Sequence, residues 1–139
     1  MKKFDFRLKK VLDYRRLTEE WAKDAYLEAR SARLEAEVAR IGIEKERHDL
    51  FNVSPRSIDE LLARESRLEL LQARHREQCI VIDVLIEDEG RALLEWNARK
   101  QDVQALEKLH DKAFADWMHE VNKEEQAFLD EWTNGRRAA

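Results

Sequence analysis

Only once in 139 residues does this sequence give the chain an unambiguous reason to turn. The stretch is FNVSPRSIDE, Phe51 to Glu60, where Asn52, Ser54, Pro55 and Ser57 fall close together. Asn and Ser can bond their own backbone, and Pro55 disfavours helix at Ser54. Ser57 followed by Glu60 forms a capping box that leads into Ile58 and Leu61. Elsewhere the punctuation that a compact α/β or all-β domain needs is missing, for there are three Gly and one Pro in all. Ala, Leu, Glu, Lys, Arg and Gln dominate, and these are strong helix formers. The reading is all-α: one domain over residues 1–139, built as a long antiparallel two-helix coiled-coil hairpin. Helix 1 runs from about 6 to 51, the turn takes 52–57, and a longer helix 2 runs from about 58 to 132. Gly135 supplies a stop, followed by a short disordered tail over 133–139.

One segment tests that reading. CIVIDVLI, Cys79 to Ile86, has the β-branched crowding of a strand. An isolated strand would have nothing to pair with, so helix is expected. Ile82 and Leu85 then face the partner helix while Ile80 and Val84 point away. Heptad spacing supplies the seams. In helix 1, Ala22, Ala25, Ala29, Ala32, Ala36, Ala39 and Ile43 recur in alternating steps of three and four. In helix 2 the matching set is Leu61, Leu68, Leu71, His75, Ile82, Leu85, Ala92, Trp96, Val103, Leu106, Ala113 and Trp117. Small residues on one helix facing large ones on the other let the layers interdigitate.

With the turn centred near Ser54, residues whose numbers sum to about 108 should lie side by side. Phe6 then sits near Asp102, and helix 2 from Val103 to Trp132 runs on alone. That stretch carries Trp117, Phe128 and Trp132 among other large side chains, so it is expected to dock on something. A second set of apolar residues points away from the seams: Leu27, Leu34, Val38 and Ile41 in helix 1, and Leu70, Ala73, Ile80 and Val84 in helix 2. Such a band is either a binding surface or a sign that the true seam lies elsewhere.

Chemistry is sparse. His75 and Cys79 are spaced i, i+4, but two candidate ligands without a second pair do not make a metal site. A polar seam position beside a thiol is the alternative. His110 also falls at a seam position, where a polar residue can set register. There is no phosphate loop and no nucleophile elbow, so no enzyme activity and no cofactor are expected. Net charge is −4, which implies no nucleic-acid role. The ends differ, with seven basic residues against two acidic from Lys2 to Arg16, and seven acidic against two basic from Asp111 to Glu131. A lone cysteine suits a reducing compartment. The opening MKKFDFRLKK lacks the apolar region of a signal peptide, and no apolar run approaches the ~20 residues a bilayer requires.

The N-terminal FDFRLKKVLDYRRLTEE resembles the opening of the flagellar FliJ family, through Phe4, Phe6, Arg7, Leu8, Val11, Leu12, Arg15, Glu19 and Glu20. LEKLHDKAFADWMHEVNKEEQAFLDEW resembles the family's closing pattern, through Leu106, Glu107, Leu109, Glu125, Gln126, Leu129, Asp130 and Glu131. The resemblance implies a stalk or adaptor of the flagellar type III export apparatus, cytoplasmic and peripheral to the inner membrane through its partners alone. Those partners would be the hexameric export ATPase, the export gate protein FlhA and export chaperones. The ATPase would grip the end holding both termini, through Phe6, Arg7, Lys10, Trp117 and Phe128. The gate and chaperones would meet Leu62, Leu70, Ile80, Val84, Leu34 and Ile41. One departure stands out: Ile58 to Ile80 contains no aromatic, where family members carry one, so gate contacts do not transfer position by position. Alternatives are the stalk of a virulence-type secretion system, a coiled-coil holdase and a structural dimer.

Overall fold

The computed structural model describes residues 2–138. Two helices account for nearly all of them: α1, Lys9–Phe51, and α2, Ile58–Ala138. There is no strand among the described residues, and CIVIDVLI lies well inside α2. At 81 residues against 43, α2 is the longer helix, as expected. It passes through Gly135, where a stop was expected, and continues to Ala138. Nothing folds against Gly135, and no residue there takes the left-handed conformation that closes a helix. Gly42 and Gly90 also face open space, so neither marks a close helix approach.

The contacts separate into two compact units. The first to consider spans Trp21–Trp96 and holds the connection between the helices. The N-cap half of the capping box forms, with the Glu60 N–H donating to Ser57 Oγ at 3.1 Å, while the Glu60 carboxylate accepts the N–H of Arg56, one residue ahead of the cap, at 2.7 Å. The Arg64 guanidinium closes the turn by donating to the Val53 carbonyl at 3.2 Å. Every residue from Phe51 to Ala63 is exposed, Leu61 and Leu62 included, so α2 gains its first cover near Arg64. The turn is therefore not the symmetric clasp that the sequence suggested. Pairing is offset, with Arg67 on Glu46, His75 on Glu44 and Arg33 on Glu89 across an antiparallel seam. These partners sum to between 113 and 122 rather than 108, because the exposed start of α2 is spent before packing begins.

That offset also changes which face of α1 is covered. Ala25 and Ala39 are exposed, and the covered positions run Ala22, Tyr26, Ala29, Arg33, Ala36, Arg40 and Ile43. The three-four rhythm persists: Ala22, Ala29, Ala32, Ala36 and Ile43 are covered as expected, with Tyr26, Arg33 and Arg40 in place of Ala25 and Ala39. Opposite lie Leu68, Leu71, His75, Gln78, Ile82, Leu85, Glu89, Ala92 and Trp96, most of them positions the sequence identified. Leu71 is fully buried, and Ala22, Ala36 and Ile82 nearly so.

The other unit comprises Met1–Glu20 with Asn97–Ala139. Residues 2–6 are not helical; the chain turns at Arg7 and Leu8, and α1 starts with the Lys9 N–H bonded to the Phe6 carbonyl at 3.1 Å. Phe6, Leu12 and Val103 form a buried cluster, with Phe4, Leu8, Leu106 and Ala113 packed against it. Arg15 pairs with Asp102 and Arg16 with Glu107, each at 3.5 Å. The expectation that α2 is bare from Val103 onward fails here. The same stagger accounts for it: Lys2 with Trp117 sums to 119 and Arg15 with Asp102 to 117, so the residues ahead of α1 lie beside α2 well past Val103. Cover ends near Val121, and residues 122–137 are exposed throughout.

Candidate partner-binding surfaces

In the unit containing both termini, five side chains were candidates for gripping a partner, and the structure sorts them. Phe6 is 8% exposed and belongs to the core. Trp117 is half-buried: its indole N–H donates to the Lys2 carbonyl at 2.9 Å, and its ring lies 5.6 Å from Phe4 and 5.7 Å from Phe114. Arg7 and Lys10 are exposed. Phe128 is 67% exposed and lies three helical turns beyond Trp117, outside the aromatic cluster. Phe6 and Trp117 therefore each border Phe4, and Phe128 stands apart from all three.

Phe128 has its own company. Leu129 and Trp132 are also more than half exposed, and Arg136 stacks over the Trp132 ring at 5.0 Å. Glu124 and Glu125 line a shallow groove with Phe128 and Leu129. On a helix Phe128, Leu129 and Trp132 share one side, at spacings i, i+1 and i+4. This is an apolar ridge rimmed by carboxylates on a stretch of α2 that no other segment of its unit covers.

Sequence reasoning missed Phe4 as the centre of the aromatic cluster. Its ring meets His110, Phe114 and Trp117 at 5.5, 5.2 and 5.6 Å, the first two edge-on. His110 in turn lies 5.1 Å from Phe6, edge to face, and contacts Asp111. The available signal was the alternation of Phe4 and Phe6, which is the spacing of an extended segment placing both rings on one side.

In the Trp21–Trp96 unit, the outward residues are as exposed as the sequence suggested. Leu34, Ile41, Leu62, Leu70, Ile80 and Val84 all lie between 44 and 65% exposed, with Val38 at 68% and Leu94 at 71%. Polar side chains flank the buried Leu71 and Ile82 along the seam. Arg33 holds both Glu37 and Glu89, and Gln78 donates its amide to the Ala36 carbonyl at 2.8 Å. Glu89 raises the Arg33 pKa above its already high value by accepting its hydrogen bonds. His75 Nε2 lies 3.0 Å from the Glu44 carboxylate, while its Nδ1 is 3.8 Å from Cys79 Sγ. The hydrogen bond from His75, supported by the charge on Arg40, holds Glu44 below the usual carboxylate range. His75 is thus engaged across the seam, and no group of three or more His, Cys, Asp or Glu side chains suited to a metal occurs among the described residues. No helix among them is long and apolar enough to cross a membrane.

No curated protein and no solved structure gives a match. The family model described as flagellar FliJ protein, however, matches residues 3–138. That span takes in the aromatic segment ahead of α1, both helices and the exposed ridge of α2. The chain belongs to the flagellar FliJ family.

Proposed function

We propose that this chain is the stalk-like adaptor of the flagellar type III export apparatus, binding the export ATPase with one surface and the export gate or its chaperones with another. Family membership makes it a flagellar export component; the division of labour is the proposal. The observation that carries it is the ridge of Phe128, Leu129 and Trp132, three large apolar side chains left open on an acidic, uncovered length of α2. Leaving such a ridge in water is unfavourable by roughly 25 cal/mol per Å² that a partner could cover. Aromatic anchors of this kind concentrate binding energy at interfaces. The ATPase ring is the assigned occupant, with Arg7 and Lys10 as exposed charges in the same unit. Phe6 acts through the fold of that unit rather than by contact.

The second surface is the apolar band of the Trp21–Trp96 unit, Leu34 and Ile41 on α1 with Leu70, Ile80 and Val84 on α2, and Leu62 near the turn. It is assigned to the gate protein FlhA and to export chaperones. The mechanism is transmission: cycling of the ring loads one surface, and the continuous helices carry the strain to the other. The chain would lie in the cytoplasm at the flagellar base, held to the membrane through these partners.

The test is capture of the purified export ATPase by the full chain and by a Phe128→Ser/Trp132→Ser variant. Wild type is expected to retain the ATPase, with the variant losing at least tenfold in affinity. Equal retention by both would remove the ridge from the contact, and no retention by wild type would remove the ATPase from the proposal.

A further inference from the structure

The aromatic cluster divides into a part that is anchored and a part that is merely laid down. Phe6 is anchored: it is 8% exposed, packs with Leu12 and Val103, and its carbonyl accepts the first backbone hydrogen bond of α1. Residues 2–5 are held differently. Phe4 is half-buried, its ring set among His110, Phe114 and Trp117. The Trp117 indole N–H donates to the Lys2 carbonyl and so ties the segment's backbone to α2. Lys2, Lys3 and Asp5 are exposed. The segment is basic, and the helix beneath it belongs to the acidic stretch Asp111–Glu131.

Beneath the segment, α2 keeps its seam rhythm. Val103, Leu106, His110, Ala113 and Trp117 continue the alternation of three and four that α1 covers elsewhere. At this end of the unit the seam is occupied by an extended segment with two rings instead of by a helix. Such a cover makes few backbone hydrogen bonds and opens at low cost, while the helix under it stays intact.

We propose that residues 2–5 are a latch, with Phe4 as its plug, that closes the His110–Phe114–Trp117 face of α2 and must lift before the export ATPase engages this end of the chain completely. This rests on the ATPase assignment above and adds its regulation. The occupant that replaces the latch carries the same chemistry, a basic segment bearing an aromatic side chain, because the face beneath is aromatic and rimmed by Asp111, Asp116 and Glu120. A closed latch reduces apparent affinity by the fraction of molecules in the open state.

Phe4→Ala tests this, since it empties the plug and leaves Phe6, α1 and α2 in place. Two readouts are needed on the full chain. The Trp117 indole N–H, followed by NMR, should exchange with solvent faster in Phe4→Ala than in wild type. Affinity for the purified export ATPase should rise about three- to tenfold, and Phe4→Leu, which still fills the site, should stay near wild type. Faster exchange with unchanged or weaker ATPase binding would overturn the latch and leave the ATPase assignment standing. Unchanged exchange would also overturn it, because the segment would then not depend on its plug. Failure of every variant and of wild type to bind would overturn both readings.

Discussion

The two units of this molecule solve the same problem in opposite ways. The unit with both termini buries rings and branched side chains, with Phe6, Leu12 and Val103 at its centre and Phe4 against them. The Trp21–Trp96 unit closes its seam with Leu71, Ile82, small alanines and the stems of Arg33, Arg40, Gln78 and Glu89, and turns Leu34, Ile41, Ile80, Val84 and Leu94 to water. Long polar side chains cover apolar surface with their stems while keeping their charged ends paired, and so they flank the buried Leu71 and Ile82 along the seam. The difference teaches that apolar content and apolar core are separate things. In the second unit the greasy residues are displayed, which suits a surface that partners complete.

The largest effects should come from the few buried side chains. Leu71→Ala removes a fully buried residue from the seam of the Trp21–Trp96 unit and should destabilise that unit by about 2–4 kcal/mol. Leu12→Ala, at 3% exposed in the other unit, should cost a similar amount. Denaturant titration with amide exchange, read separately for each unit, checks both. If Leu70→Ala, half-exposed and adjacent, cost as much as Leu71→Ala, the assignment of inside and outside would be wrong.

Next in size is the ionic seam. Arg33→Ala should lower the melting temperature by less than Leu71→Ala does, with Glu89→Ala adding little once Arg33 is gone. A double-mutant cycle reads this coupling directly. Additive losses would mean that the pair does not hold the seam.

The pH dependence sharpens the same contrast. Glu44 is held below the usual carboxylate range, chiefly by the hydrogen bond from His75. Its unfolded carboxyl titrates higher, so its contribution is present above the ordinary carboxylate range and is lost as pH falls below it. Wild type should therefore lose more stability on acidification through that window than His75→Gln does, and melts across pH would show it. Parallel curves would contradict the assigned cause.

Smallest of all should be the effect on stability of Ile80→Ser/Val84→Ser. Both residues are more than half exposed, so the change should stay within about 0.5 kcal/mol per site.

Most of the architecture was legible because helix formers and a single Pro-containing turn leave little choice. The α2 seam was readable too, since Leu71, Ile82 and Val103 recur at heptad spacing and are buried. The α1 seam was legible in part: Ala22, Ala29, Ala32, Ala36 and Ile43 are covered as expected, and Ala25 and Ala39 are not. Alanine carries almost no preference for inside, so the run through Ala25 and Ala39 looked like a seam, whereas Tyr26 and Arg33 take the covered positions. The register failed for a related reason: a turn's sequence fixes where the chain reverses, but side-chain packing beyond it fixes the stagger. In the candidate site, exposure of Ile80 and Val84 followed from periodicity, and that of Phe128 from the greater length of helix 2. Burial of Phe6 did not, because it depends on an extended segment lying across α2.

A crossed titration tests the central claim most directly: the export ATPase and the cytoplasmic domain of the gate protein, each against Phe128→Ser/Trp132→Ser and Ile80→Ser/Val84→Ser. The account predicts that the first variant weakens the ATPase alone and the second weakens the gate domain alone, with helix content unchanged in both. Equal losses for both partners, or none for either, would contradict it.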